Sequence, residues 1–293
     1  MTDPDKDPDS TDEAYYPMVE KGDSESEPDS DHEADSLMVK KVDRRRDRNK
    51  DASDYISHEG TVTLATRKLL FDMLNTGIIE SFTGIISSGK EANVYCGIGK
   101  GGKEIAIKIH RQISQTSKWM QNYIIGDPRF SSYRKKNVRD LMVLWTLKEY
   151  KNLMRARDAG VPVPAPIHAK ENILVMDFLG HEGTPAKRLV DVNLDDPVAH
   201  FQAVAEGMQA LLIKAHLVHG DLSPYNLLLH DGKLFFIDFA QGVLTDHPNA
   251  QKYFQRDFDN VVGYFGQWMP ESFDRDQLFR DIVAGRPIKI VQS

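Results

Sequence analysis

The chain has 293 residues, a net charge of −7 and one cysteine, Cys96. A single cysteine excludes internal disulfides and multi-cysteine metal sites, and it suits a reducing compartment such as the cytoplasm. The acidic start lacks the basic n-region of a secretory signal, and no apolar run approaches the ~20 residues that span a bilayer, so no membrane partner is expected.

Residues 1–36 hold 14 Asp/Glu and 2 Lys, a balance of −12, whereas 40–50 (KKVDRRRDRNK) hold 7 Lys/Arg and 2 Asp, a balance of +5. The rest of the chain is therefore close to neutral. Residues 1–54 are rich in Asp, Glu, Ser and Pro and poor in large apolar side chains. Such a composition cannot bury enough surface to offset ordering entropy, which predicts a disordered tail. The basic stretch reads either as solvated charge or as a contact for a partner or RNA.

Folded sequence is expected from Tyr55. Leu64, Leu69, Leu70, Met73 and Leu74 recur at helical spacing and Gly77 follows as a C-cap candidate. FTGIIS, ANVYCGI and EIAIKIH read as short strands, with Gly99, Gly101 and Gly102 in a hairpin turn between the last two. Residues 111–137 form a long polar connection, a feature that goes with function or mobility. Ser114, Ser117, Ser131 and Ser132 make it a candidate for autophosphorylation.

Residues 138–158 read as an amphipathic helix with Leu141, Leu144, Trp145, Tyr150 and Leu153 on or near one face. Gly160 ends it, VPVPAP extends the chain, and ILVMDFLG is a buried strand. A second helix over 198–216 is expected to run directly into HGD. Without regular βα alternation or repeats, the fold class is α+β and two-lobed. After the tail at 1–54, the expected units are a β-rich lobe with an extra N-terminal helix (55–178) and a helical lobe (179–293).

Asp221 and Asn226 stand five apart in VHGDLSPYNLLL (218–229), and Asp238 follows in LFFIDFA (234–240). Phosphoryl transfer from ATP needs a group that orients and deprotonates the acceptor and oxygen ligands that hold Mg²⁺ on the phosphates. One Asp as base, with an Asn carbonyl and a second Asp as ligands, supplies that set. Lys108, in the middle of EIAIKIH, lies 113 residues before Asp221, as does a strand lysine that holds the α- and β-phosphates. Its expected acidic partner is Glu149, because Asp140 and Asp158 sit near the helix ends.

Residues 84–90 satisfy GxxxxGK, but Glu91 stands where a Walker loop needs Ser or Thr, and a strand rather than a helix follows. The remaining reading is a strand–turn–strand in which Ser87, Ser88, Gly89 and Lys90 offer N–H groups and a charge to phosphates.

In chain order, SSGKEANVY, IAIKIH, GDPRF, GVPVPAPI, LVMDFLG, HGDLSPYN and IDFAQG resemble the Rio family of atypical serine/threonine protein kinases. The S-x-G-K-E-A loop is most similar to its type-1 branch, in an archaeal-like form, and the resemblance covers roughly residues 60–265. It implies a protein-kinase-like fold with a small β-rich N-lobe and a helical C-lobe lacking the usual peptide-binding subdomains. It implies ATP with Mg²⁺ or Mn²⁺ as cofactors, serine/threonine kinase or ATPase activity, and a cytoplasmic role on the pre-ribosomal small-subunit particle through its rRNA or proteins. By motif position, Asp221 would be the proton acceptor, Asn226 and Asp238 metal ligands, and Lys108 a phosphate ligand. Met176, Asp177 and Phe178 would form the hinge that meets adenine, and Asp238 would also be the residue proposed in this family to become an aspartyl-phosphate.

The chain departs from the family pattern at Ala240, which replaces a glycine and disfavours positive φ, and at Pro224, where the family often carries Glu. No APE-type motif follows Asp238. Two other readings stay open: a small-molecule kinase of the aminoglycoside or choline type, and a nucleotide-gated assembly scaffold.

Overall fold

The computed structural model describes residues 62–111, 117–131 and 137–290. The tail, the basic stretch 40–50, Ser114, Ser132, Arg134, Lys135 and Lys136 lie outside the described residues, as does the side chain of Ser117. Among the described residues no helix is long and apolar enough to cross a membrane.

Thr63 starts the first helix, α1 (Leu64–Asn75), its hydroxyl accepting the Thr66 N–H at 3.2 Å. Leu70, Met73 and Leu74 turn inward from it, and Gly77 reverses the chain at φ 73°. Strands β1 (Ile79–Ser88), β2 (Ala92–Gly99) and β3 (Glu104–His110) follow as an antiparallel meander. Gly101 and Gly102, both at φ 77°, make the β2–β3 turn that residues with a Cβ rarely adopt. With β4 (Pro166–Lys170) and β5 (Ile173–Asp177) the strands form one sheet in the order β1-β2-β3-β5-β4. Pro166 opens β4 on an edge, where no ladder donor is lost. Ile79, Phe82, Tyr95, Ile107 and Val175 bury this sheet against α1.

Helix α2 (Val138–Asp158) is capped at both ends. Asn137 accepts the Asp140 N–H at 2.9 Å. At the other end, Gly160 at φ 83° lets Gly160 and Val161 donate to Arg157 and Ala156 carbonyls, a Schellman motif. One face of α2, with Leu141, Met142, Trp145 and Leu153, belongs to the core of the helical half rather than to that of the sheet. That half continues with the short strands β6 (Gly180–His181), β7 (Thr184–Pro185) and β8 (Lys187–Arg188). Helix α3 (Pro197–Ile213) then precedes β9 (Leu217–Val218), β10 (Leu227–His230), β11 (Lys233–Phe236) and β12 (Val243–Leu244). Helices α4 (Ala250–Phe265) and α5 (Arg275–Ala284) complete it.

Two expectations need correction. The second long helix ends at Ile213 and does not run into HGD: Lys214 and Ala215 both donate to the Ala210 carbonyl, and His216 takes φ 49° to lead into β9, which pairs with β12. The connection after β3 is not simply polar and mobile: its described part, 117–131, forms short helical turns that bury Met120, Tyr123, Ile124 and Phe130. Tyr123 stacks on Tyr253 at 4.8 Å, and Trp119 meets Trp145 edge-on at 5.4 Å. Ser131 is exposed at the end of these turns.

Helix α3 crosses β11 so closely that a Cβ on Gly207 would lie 2.6 Å from Cζ of Phe236, itself fully packed. Overpacking of this kind costs about 2 kcal/mol, so Gly207→Val should lower Tm by roughly 4–8 °C in a thermal melt. An unchanged Tm would show that α3 and β11 can separate without loss.

Candidate active site

The cleft between sheet and helical body collects charged groups from five elements. Lys108 comes from β3, where the flanking isoleucines pack into the sheet core and leave its amine directed at α2. Its Nζ donates to Glu149 Oε1 at 2.7 Å and to Asp238 Oδ1 at 3.0 Å. Burial opposes charge on this lysine, but Asp238 and Glu149 outweigh it and hold its pKa above the ordinary value. Burial would likewise raise Glu149, yet Lys108 and His110 bring its carboxyl down to about 2. His110 Nε2 stands 3.0 Å from Glu149 Oε2, close enough for an ion pair but not aligned as a hydrogen bond.

The Asp221 loop is fixed from below by α4. Asp257 accepts the N–H groups of Gly220 at 2.7 Å and Leu222 at 2.9 Å, and Asn260 donates to the Leu222 carbonyl at 3.1 Å. Burial pushes the Asp257 carboxyl up to about 7 against the pull of those two donors. Arg256 donates to the Gly220 carbonyl. Gly220 has φ 79°, and a Cβ there would lie 2.7 Å from the Gln241 carbonyl oxygen. A one-turn helix at Pro224–Asn226 folds the loop back, so that Asn226 Nδ2 donates to the Asp221 carbonyl at 2.8 Å. Burial first, and then Asp238, raises the Asp221 pKa.

Asp238 itself is in the left-handed region (φ 63°, ψ 66°), a conformation that costs a non-glycine residue of order 1 kcal/mol and clusters at functional sites. Its surroundings impose it. Lys148 donates to the carbonyls of Ala240, at 2.8 Å, and Gly242, while Asn152 donates to those of Phe239 and Gly242, both at 2.8 Å. His219 bonds the Ile237 carbonyl at 3.0 Å. Burial, reinforced by Arg129, holds the Lys148 pKa well below the ordinary value.

The structure thus pairs Lys108 with Glu149 and sets Asp221 beside Asn226, as expected, and adds a contact of Lys108 with Asp238 that the sequence did not predict. Met176 and Phe178 line a small apolar patch with Ile86, Val94, Cys96 and Ala106 on the cleft side of the sheet. Asp177 points elsewhere, pairing with Lys103 at 2.7 Å, while its backbone N–H bonds the Ala165 carbonyl at 2.9 Å. Ser87, Ser88, Gly89 and Lys90 are exposed at the β1–β2 turn, which excludes a helix-opening loop there. Ser88 Oγ is engaged by Asn93 at 3.2 Å and Arg111 at 3.0 Å.

Sequence reasoning missed Glu91, whose carboxyl is raised by burial and then by Asp238, with Lys108 opposing, which puts it within range of the cleft charges. It had served only to reject a Walker loop. It also missed Gln241, which donates to Asp221 Oδ2 at 3.0 Å. Asp257 in RDFDN, and Lys148 with Asn152 four residues apart, could have been found as polar groups on otherwise apolar helix faces; Asn260, on the exposed side of its helix, gave no such signal.

A lysine–glutamate pair joining sheet to helix, an Asp–Asn loop and an Asp after a β-hairpin define a protein-kinase-like phosphotransferase fold. A family model described as RIO domain matches residues 93–278. The chain is 38% identical over 250 residues to the RIO-type serine/threonine-protein kinase Rio1 of Haloferax volcanii, covering 83% of this chain and 85% of that one. It is 38% identical to the Schizosaccharomyces pombe serine/threonine-protein kinase rio1 over 80% of this chain, but spans only 48% of that relative's length. The Rio2 kinase-ADP/Mg²⁺-phosphoaspartate complex of Chaetomium thermophilum has a similar fold, with a TM-score of 0.56 and 23% identity over 78% of this chain and 67% of that one. The chain belongs to the RIO family of serine/threonine-protein kinases, in its type-1 branch.

A carboxyl shifted from the ordinary 4.5 to about 2 contributes stability that is present above pH 4.5 and lost as pH falls toward 2. Glu149→Gln should therefore flatten the acid limb of a Tm-versus-pH curve in that window. It should also lower Tm at neutral pH by roughly 5–10 °C, since it breaks a buried pair. An acid limb as steep as that of the wild type would assign the acid sensitivity to other carboxyls.

Proposed function

We propose that the protein transfers the γ-phosphoryl group of ATP to a serine or threonine hydroxyl, and the observation that carries this is the Lys108–Glu149–Asp238 contact opposite Asp221. On this reading residues 55–178 form the nucleotide-facing lobe and 179–293 the catalytic one. The apolar patch of Ile86, Val94, Ala106, Met176 and Phe178 suits a purine ring, with the backbone of 176–178 as its hinge. Lys108, held charged by its two carboxylates, is poised for α- and β-phosphate oxygens. Ser87, Ser88, Gly89 and Lys90 would close over the phosphates as the β1–β2 turn.

The donor chemistry fits Mg²⁺, or Mn²⁺ in its place. Asn226 directs its amide N–H₂ at the Asp221 carbonyl and keeps Oδ1 as a pure acceptor. Asp238 engages Lys108 through Oδ1, its side chain remaining 43% exposed. These hard oxygens would hold the ion, which when bound neutralises charge on the phosphates. Asp221 accepts the acceptor hydroxyl's proton as the new O–P bond forms and the β–γ bond breaks, with ADP leaving. Gln241 keeps the Asp221 carboxylate oriented for that proton, while Asn226 holds the Asp221 backbone carbonyl. If water takes the acceptor's place, the same groups perform ATP hydrolysis. If a carboxylate oxygen of Asp238 attacks instead, the product is the aspartyl-phosphate expected from the resemblance.

Action on pre-ribosomal small-subunit particles in the cytoplasm is supported by the type-1 membership. A small-molecule acceptor is the competing reading.

Incubation with radiolabelled ATP followed by phosphosite mapping separates serine autophosphorylation, aspartyl-phosphate and simple hydrolysis. Asp221→Asn should lower turnover by about 10²–10⁴-fold while nucleotide affinity and Tm stay near wild type. Turnover and autophosphorylation that both survive the substitution would remove Asp221 from the mechanism. Turnover of small alcohols without autophosphorylation would favour the competing reading.

A further inference from the structure

Two tight hairpins face each other on the surface just past the hinge segment. In the first, β6–β7, Glu182 and Gly183 take φ 50° and 73°, and His181 pairs with Thr184 across the turn. In the second, β10–β11, Asp231 and Gly232 take φ 48° and 73°, and His230 pairs with Lys233. Two consecutive positive φ values mark two-residue turns whose twist matches that of their strands. Each hairpin therefore presents its histidine at the corner of a tight turn.

The side chains converge. His181 Nε2 lies 2.9 Å from Asp231 Oδ1, and His230 Nε2 lies 3.5 Å from Asp231 Oδ2. The two imidazole rings are 4.8 Å apart, centre to centre. One donor atom from each of the three residues lies within 4.8 Å of the other two, the one such group of three among the described residues.

We propose that His181, His230 and Asp231 form a binding site for a first-row transition-metal dication of the Zn²⁺ class. Two imidazoles and a carboxylate match the ligand preference of Zn²⁺ and Co²⁺ rather than the all-oxygen shell of Mg²⁺, and three protein ligands on the surface leave positions for water. The site is separate from Asn226 and Asp238. It has a mechanical consequence: Gly183 N–H is already held by Glu104 at the start of β3, at 2.5 Å. The strap that follows Phe178 is already joined to β10 through β8, and a bound ion would add a second clasp, fixing the β6–β7 hairpin against the β10–β11 hairpin.

The test uses the full chain stripped of metal, titrated first with Co²⁺, whose visible absorption reports its ligands, and then with Zn²⁺ by calorimetry. One equivalent should bind saturably and raise Tm, by mass action on the folded state. His181→Ala, His230→Ala and Asp231→Asn should each weaken binding at least about tenfold, given that even outer-shell changes weaken metal sites by that much. His181 and Asp231 are exposed, so their metal-free variants should melt as the wild type does. Absence of saturable binding overturns the site. So does binding that survives the His181→Ala/His230→Ala double variant, in particular if Asp238→Asn abolishes it.

Discussion

The amine of Lys108 sits between two carboxylates at the junction of sheet, helix α2 and the segment after β11, with only 9% of its side chain accessible. A buried charge is tolerated only when it is paired and hydrogen-bonded, and removing one partner is far worse than never having had the pair. The three elements are therefore held to one relative position by the need to keep Lys108 satisfied. Glu149 fixes the helix against the sheet, and Asp238 fixes the end of the hairpin against both. Such pairs add little net stability; their value is in the single geometry they permit.

Side chains from two helices extend that constraint by anchoring the backbone of the segments that carry Asp221 and Asp238. Helix α4 holds the Asp221 loop through Asp257 and Asn260, which accept from and donate to backbone groups that would otherwise be buried without partners. Helix α2 does the same for residues 239–242 through Lys148 and Asn152, one and three residues from Glu149. One helix thus meets Lys108 and fastens the chain that carries Asp238. Because its apolar face belongs to the core of the helical half, α2 transmits the position of that half directly to the sheet.

The segment after Asp238 shows how local chemistry and tertiary demand divide. Replacing the usual glycine by Ala240 implies that positive φ is avoided there, and Ala240 is buried in a one-turn helix. The left-handed residue is instead Asp238. Aspartate tolerates that region better than most residues, but no local signal selects it. The anchors of α2 and the His219–Ile237 bond do so from outside the segment.

Periodicity and motif spacing were enough to place α1, β1–β3, α2 and β5 and to select Lys108, Glu149, Asp221, Asn226 and Asp238, because local patterning and chemistry coincide at those positions. Where they do not, the sequence was silent or misleading. The helix before HGD ends early because β9 must pair with a strand formed 25 residues later, and the polar-looking 117–131 folds because Trp145 and Tyr253 await its aromatics. The ion pair of Asp177 with Lys103 joins residues 74 apart and carries no local signal. Glu91, Gln241 and the clasp of His181, His230 and Asp231 exist only as juxtapositions of distant residues. The sequence alone determined the local elements and the order of the motifs that carry the candidate groups, since residue type and local conformation are written along the chain. Only the tertiary structure decided which of them meet, because burial and pairing of charge depend on neighbours that the chain supplies from far away.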